Sequence, residues 1–453
     1  MKVHLLLTSL VVLTTNLGLA QNDAAPKPDP FVKAKPGLPS VEAAPAAPKP
    51  VVAPEHTGIR FVFETYSMSL TEFDSLLSEN LKNDALLERV HRLVAEDKAT
   101  LDVVQSAVTK SGNRCALEST DGVMYATEFD PAPHGPAWPV AWEMKPCGDR
   151  LELDPVLLPD GKSVDMSFAL ESIRLIKWTE AKALPPVVGQ INPLFNAAKT
   201  NTAVSLKIGE ARFVGTLSGP AAPGVPEADD ERVGLVFARA TLELMPEKKT
   251  ASPSPDTQQV RITFRTYALE RADAGRLLRT HGGSDALHQE VQTMVKNGAA
   301  QLEHVSIGIS KGGQRATAEE VAEFIHGTAT ARTPEAKDKS PAEAKAPAFS
   351  AFEMRPLGWR MEWDAVLSPD LSVLDVTLAP THTEFRGSTA GHPLLEQLPQ
   401  QPVFAERRIN TSLGIAVGHT AFVSTLNRPR ANGVNGRDDD GKTCLLFVEV
   451  VPW

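Results

Sequence analysis

Cysteine is nearly absent from this chain, with three residues in 453. That excludes the small secreted domains that rely on dense disulfides in place of a large core. Tyrosine is equally scarce at three, and aromatic residues together reach 6%. There is no basic excess either. The 46 Lys and Arg stand against 56 Asp and Glu, for a net charge of −10, so no electrostatic footprint for nucleic acid is present. Beyond residue 20 no apolar run is long enough for a membrane-spanning helix.

Catalytic signatures are missing as well. None of His281, His288, His304 or His326 falls in a zinc-like spacing with another ligand. "SKGGQR" lacks the length and the Lys-Ser/Thr ending of a phosphate loop, and no Ser or Cys sits in a nucleophile elbow. "RDDDG" at 437–441 lacks the alternating ligands and distal Glu of a calcium loop. The sequence therefore predicts no enzyme, no cofactor and no metal.

What is present begins with "MKVHLLLTSLVVLTTNLGLA", which carries a basic start at Lys2, an apolar stretch and a small-x-small cleavage site. It reads as a signal peptide over 1–20, with the mature chain starting at Gln21. A membrane anchor is disfavoured because Thr14, Thr15 and Asn16 break the apolar run. The 36 prolines are clustered. Residues 21–57 read as a disordered Pro/Ala-rich tether, 248–257 as a linker, and 328–347 as a disordered loop.

Between these tracts the chain repeats itself. "RFVFETYSMSLTEFDSLL" from Arg60 returns as "RITFRTYALERADAGRLL" 201 positions on. From Ala141 to Ala169, a shift of 210 gives 14 identities in 29 positions, against about two expected from average composition. Farther along, Pro193, Phe195, Asn201, Thr202 and Gly209 recur 209 positions on. Two homologous domains are predicted, 58–247 and 258–453, with a β-dominated α+β fold. Each copy is read as an N-terminal strand, two short helices and a mainly antiparallel β-domain. Ser69 and Glu72 suggest a capping box, with Phe73, Leu76 and Leu77 as an apolar stripe. Asp84 is read as opening the second helix, and Asn297-Gly298 as closing its counterpart. Arg150, Glu152 and Asp154 alternate with Leu151 and Leu153 before a turn at Pro159-Asp160-Gly161. "AVSLKIG" and "ARFVGTLS" are expected to pair around Gly209.

The recurring signature is Gly112, Arg114, Glu143, Gly148, Glu152, Asp154, Asp160 and Gly209 in the first copy. In the second it is Gly313, Arg315, Glu353, Gly358, Glu362, Asp364, Asp370 and Gly418. Paired carboxylates such as Glu152/Asp154 and Glu362/Asp364 could serve as general acid and base. Their alternation beside Arg150 and Arg360 is better read as a solvent-facing edge.

The order of these elements resembles a known family. Ser111-Gly112-Asn113-Arg114, the glycine-led strand Gly148–Asp154, Pro159-Asp160-Gly161, Pro193-Leu194-Phe195 and the stretch Gly209–Leu217 run as in the secretin domain. Gly312-Gly313-Gln314-Arg315-Ala316, Gly358–Asp364, Pro369-Asp370, Pro402-Val403-Phe404 and Gly418-His419-Thr420 repeat the order. Secretins are the outer-membrane channel subunits of type II and III secretion systems. The resemblance implies a tandem secretin-like protein of a Gram-negative envelope, exported to the periplasm or outer membrane and linked to protein secretion. Its partners would be envelope proteins, with self-association among them, and no nucleic acid. Where a secretin builds its membrane wall, this chain has "PAPHGPAWP" and a Lys/Glu/Pro tract, so no pore of its own is expected. A pore-forming channel subunit is the alternative, followed by a secreted enzyme or carbohydrate-binding module.

A disulfide between Cys115 and Cys147 is expected, because both fall in one copy of an exported chain and Ala316 and Leu357 replace them together in the other. The competing reading is two separate buried thiols. Cys444 has no evident partner.

Overall fold

Alternating apolar side chains at Ile59, Phe61 and Phe63 extend the chain, and Ser69 ends the strand by accepting a hydrogen bond from the Glu72 backbone N–H at 3.2 Å. In the computed structural model of the protein, residues 58–130, 138–180, 191–217, 232–243, 259–331, 348–368, 371–388, 400–429 and 441–452 are described. The signal peptide, tether and linker expected at 1–20, 21–57 and 248–257 lie outside them, as does Asp370.

The strand is β1 (Gly58–Ser69), followed by α1 (Leu70–Ser78) and α2 (Asn83–Ala95). Next come β2 (Ala99–Lys110), β3 (Cys115–Asp130), β4 (Trp138–Leu157), β5 (Ser163–Glu180), β6 (Ile191–Lys207), β7 (Ala211–Thr216) and β8 (Arg232–Glu243). The order then returns as β9 (Gln259–Glu270), α3 (Arg271–Thr280), α4 (Ser284–Lys296), β10 (Ala300–Lys311), β11 (Gln314–Ala331) and β12 (Ala348–Leu367). Two strands, β13 (Val373–Leu378) and β14 (Thr381–Ser388), stand where the first half has β5 alone, because Pro380 cannot donate to the ladder. β15 (Pro402–Ala416), β16 (Thr420–Thr425) and β17 (Lys442–Pro452) complete the series. The fold is β-dominated, with antiparallel sheets and four helices among the described residues.

Register recurs along with order. Phe61 faces Ala107 and Ala240, as Ile262 faces Gly308 and Val450. Ala116 faces Glu152, as Thr317 faces Glu362. Gly148 and Gly358 take φ of 152° and 131°, and a Cβ on either would stand 2.0 or 2.1 Å from a carbonyl oxygen of the adjacent strand. Glycine is required at both. Asn297 caps α4, and the Ala299 N–H closes on Met294 at 2.8 Å, so the predicted stop is in place.

The two halves do not separate into independent bodies. All described residues fall in one compact unit, and each sheet contains strands from both halves. One sheet runs β10-β9-β17-β16-β2-β1-β8-β7, and the other runs β11-β12-β13-β15-β3-β4-β5-β6, with β14 beside β12 and β15. The seam is made by β16 against β2, at Ser424 and Ala107, and by β15 against β3, from Phe404–Gly122 to Asn410–Ala116. Backbone donors that would otherwise line an open edge are satisfied there by the other half. The main core lies between the sheets, where Phe63 meets Phe168 at 5.2 Å and Phe264 meets Trp363 at 5.8 Å. The helices cover the outer face of the first sheet: Leu86, Val90 and Leu93 pack with Tyr66 and Phe237.

Three expectations are corrected. β6 and β7 do not pair with each other. They belong to different sheets, and Gly209, at φ 84°, carries the chain across while its N–H holds the Ala240 carbonyl at 2.8 Å. Residues 328–331 are not loop but the end of β11, where Ala329 pairs with Ala141 of β4; residues 332–347 lie outside the description.

The third correction is the disulfide. Cys115 faces Leu153 and Cys147 faces Asp121, six residues along the same ladder. That is about 20 Å at strand rise, far beyond the roughly 7 Å a disulfide spans. The two thiols sit in separate apolar clusters, unbridged, and burial pushes both up to about 12.

Candidate functional site

The signature residues hold hairpins. Arg114 grips Asp154 with Nη2 at 3.0 Å and Nε at 3.1 Å, and lies 4.0 Å from Glu152. In the second half Arg315 pairs with Glu362, and Arg360 joins Glu362 at 3.4 Å to Glu319 at 3.2 Å. These are surface ladders, whose ion pairs contribute little to stability because water and salt screen them. Asp160 accepts the Lys162 and Ser163 N–H groups at 2.9 and 3.2 Å, fixing its turn. Gly112 and Gly313 donate to the carbonyls of Pro155 and Ala365, each at 2.7 Å. Glu143 accepts from the Tyr125 hydroxyl at 3.2 Å, while Glu353 is exposed opposite His326. Gly418 repeats Gly209 by holding the Val450 carbonyl at 2.8 Å. Asp84 does not cap its helix. Its carboxylate accepts from the Ala211 N–H at 3.1 Å and pairs with Arg239 at 3.0 Å, tying α2 to β7. Asp285 treats the Thr420 N–H and His419 alike.

Chemistry-bearing side chains gather elsewhere, in a crevice between the sheets that each half builds differently. A β-bulge in β2 leaves Asp102 unopposed between Thr65 and Tyr66 of β1, and a bulge in β10 does the same to Glu303. Such bulges re-aim a side chain. In the first half the result is an open cavity of about 180 Å³ lined by Ser67, Asp102, Ser172, Arg174 and Arg232 among others. The Ser67 hydroxyl donates to Asp102 at 3.1 Å, and Arg232 donates to the Ser67 carbonyl at 2.9 Å. Arg174 is held by Asp149 at 2.7 Å.

In the second half the corresponding space is filled. Arg407 and Cys444 occupy the positions of Ala198 and Gly234. Buried Arg407 donates to His382 Nδ1 at 2.9 Å, to Glu303 at 3.4 Å and to the Leu426 carbonyl at 3.3 Å, with its guanidinium 5.5 Å from the Trp359 ring. Glu303 also takes Arg428 at 2.8 Å and the Cys444 thiol at 3.3 Å. His304 stacks on Trp359 at 4.6 Å, and His382 meets the same ring at 4.3 Å.

Burial and the Arg407 charge hold His382 at about 3, so it is neutral at physiological pH. Burial pushes the Cys444 thiol up to about 12, far from a nucleophile's range. The cluster is a polar plug in which one carboxylate, Glu303, is shared by Arg407 and Arg428. Nothing in it pairs an activated nucleophile with an accessible base.

A larger cavity of about 410 Å³ opens at the seam, walled by Gly58, Val108, Glu243, Ser284, Leu413 and Phe422 among others. Glu243 is ion-paired with buried Arg60, which also donates to the His281 carbonyl at 2.6 Å. The Ser284 hydroxyl donates to Glu243 at 3.2 Å, joining the halves there. Among the described residues, no three His, Cys, Asp or Glu side chains are gathered for a metal ion, and no helix is long and apolar enough to cross a membrane.

Sequence reading gave no role to Glu303, Arg407, His382 or Trp359. The signal lay in the differences between the halves: charged or aromatic residues replace Ala198, Ser172 and Asp149 in otherwise matching strands. Compared with protein-family models the chain matches none, and none of the curated proteins matches it.

Proposed function

We propose that this chain is an exported, non-enzymatic structural and interaction protein of the cell envelope, built from two copies of a secretin-like domain. The observation that carries the reading is the recurrence of the whole hairpin register, down to Gly148 and Gly358 against the same neighbouring carbonyls. Residues that recur in this way serve the scaffold, since both copies need them for folding. The half-specific polar cluster is largely buried, with Glu303 held between Arg407 and Arg428, which favours binding and scaffolding over turnover.

Export is supported by the tripartite N-terminus, and the proline-rich segment after it would let the folded part reach partners in the envelope. Fractionation of cells producing the full chain tests this. The protein is expected in the periplasmic or outer-membrane fraction, with a mature N-terminus at Gln21. A cytoplasmic protein retaining Met1 overturns the export, and conductance after reconstitution into liposomes would overturn the absence of a pore.

A further inference from the structure

The strand order of each sheet contains a repeat that stops short at both ends. In the first sheet β10-β9-β17-β16 of the second half is followed by β2-β1-β8-β7, its counterpart strand for strand. The other sheet does the same with β11 to β15 followed by β3 to β6. The seam joins β16 to β2 and β15 to β3. Among the described residues, the ends of the molecule present the counterparts: β7 and β6 at one end, β10 and the 317–323 stretch of β11 at the other. Each end is the complement that the seam shows to fit the other.

The surfaces carry the mark of a missing partner. On β10, Val305, Ile307 and Ile309 are 42 to 58% exposed, whereas their counterparts Val104, Ser106 and Val108 at the seam are at most 3% exposed. At the opposite end Leu77 of α1 is 53% exposed, and its counterpart Leu278 of α3, which rests on β2 and β1 across the seam, is 1% exposed.

Charges and hydroxyls match too. Across the seam Lys110 meets Asp375 at 2.6 Å and Arg408 meets Glu118 at 3.1 Å. Their counterparts are Lys311 with Asp165, and Lys199 with Glu319, and each pair is divided between the two ends with opposite charges preserved. The Thr411 hydroxyl donates to the Val108 carbonyl at 2.6 Å, and Thr425 bonds the Ser106 N–H at 3.0 Å. Both threonines recur, as Thr202 and Thr216.

We infer that a second copy of this chain docks end to end, β6 and β7 of one molecule adding to β11 and β10 of the next in the register of the internal seam. Phe195 then faces Glu323, Asn201 faces Thr317, and Lys311 reaches Asp165 of the neighbour. The contact is strand addition, in which main-chain hydrogen bonds give affinity and side chains set register. Because it is heterologous, it continues into a ring or a filament. The inference rests on reading the chain as an interaction protein.

Two surface variants and one cross-link test it on the purified full chain. Ile307→Lys with Ile309→Lys blocks one end, and Leu77→Glu with Lys199→Glu blocks the other. All four side chains are exposed, and an unchanged circular dichroism spectrum checks the fold. By sedimentation the unaltered chain should assemble, each blocked variant should be a monomer, and a mixture of the two should stop at a dimer. Ring-shaped and filamentous particles both support the proposal. Independently, Asn201→Cys with Thr317→Cys should give disulfides between molecules. These are the counterparts of Asn410 and Ala116, which face each other at the seam, and opposed residues of an antiparallel ladder lie within reach of the bond. This readout stands if a blocked variant fails to fold. A chain that stays monomeric at every concentration, or assembly that persists in both blocked variants, overturns the docking. Since no other component is present, that result would leave export and envelope partners to be judged by fractionation.

Discussion

Glu64 of β1 and Arg279 of α3, 215 residues apart, form an ion pair across the seam. The carboxylate is almost fully buried and the guanidinium half-buried. Removing the cation alone leaves a buried acid without its counter-charge, a change that costs about 3–5 kcal/mol. Arg279→Met should lower stability by that order in urea unfolding, and Glu64→Gln added to it should restore a part. If the single and double variants unfold at the same denaturant concentration, the pair does not hold the seam.

The same seam predicts how fragments behave. Residues 58–247 expressed alone lose the strands that cover β2 and β3, and residues 258–453 lose those that cover β15 and β16. Each fragment should be insoluble or self-associated, and the two co-expressed should give a 1:1 complex. Two monomeric, cooperatively folding fragments would show that the cores are independent.

Much of this arrangement was legible in the sequence, because local patterns report local structure. The alternation of Leu151 and Leu153 with Arg150, Glu152 and Asp154 gave β4 its inward and outward faces. Ser69 and Asn297 marked helix ends that stand where expected. The seam was not legible, since Thr411 binding the Val108 carbonyl is a contact over 303 residues. Nor was the crossing at Gly209, where the pattern of two adjacent strands fits a hairpin as well as a change of sheet. The disulfide failed for a similar reason. Cysteines that vanish together need not touch, and only the register sets Cys115 and Cys147 apart.

Gly148 and Gly358 provide a sharper test of the shared register. Alanine at either adds backbone strain of about 1–3 kcal/mol and a Cβ against a neighbouring carbonyl, for a further cost of about 1–3 kcal/mol. Gly148→Ala and Gly358→Ala should each lower the unfolding midpoint, and by similar amounts. A neutral result at one position would mean that the close approach seen at both is not a shared requirement.

Trp363 closes the core of the second half, fully buried, with its indole N–H donating to Ser310 at 3.0 Å and its ring against Phe264. Trp363→Ala should cost about 3–5 kcal/mol, as large-to-small core changes do. Trp359→Ala, over the polar plug, should cost less, because that ring is only partly buried. Equal losses in chemical unfolding would contradict the packing described.

The plug also sets a pH dependence. His382 takes its proton near 6.5 when unfolded, but only at about 3 in the folded chain, because burial and then Arg407, His304 and Arg428 oppose its charge. Between those values the unfolded state binds the extra proton, so stability rises with pH there and falls as the solution is acidified below 6.5. The full slope from one such group is about 1.4 kcal/mol per pH unit. His382→Gln keeps an acceptor toward Arg407 and removes the titration. Stability measured by urea unfolding at pH 7 and pH 5 should fall more for the unaltered protein than for the variant. An equal fall in both would mean that His382 is not held neutral and that the plug does not exclude a proton.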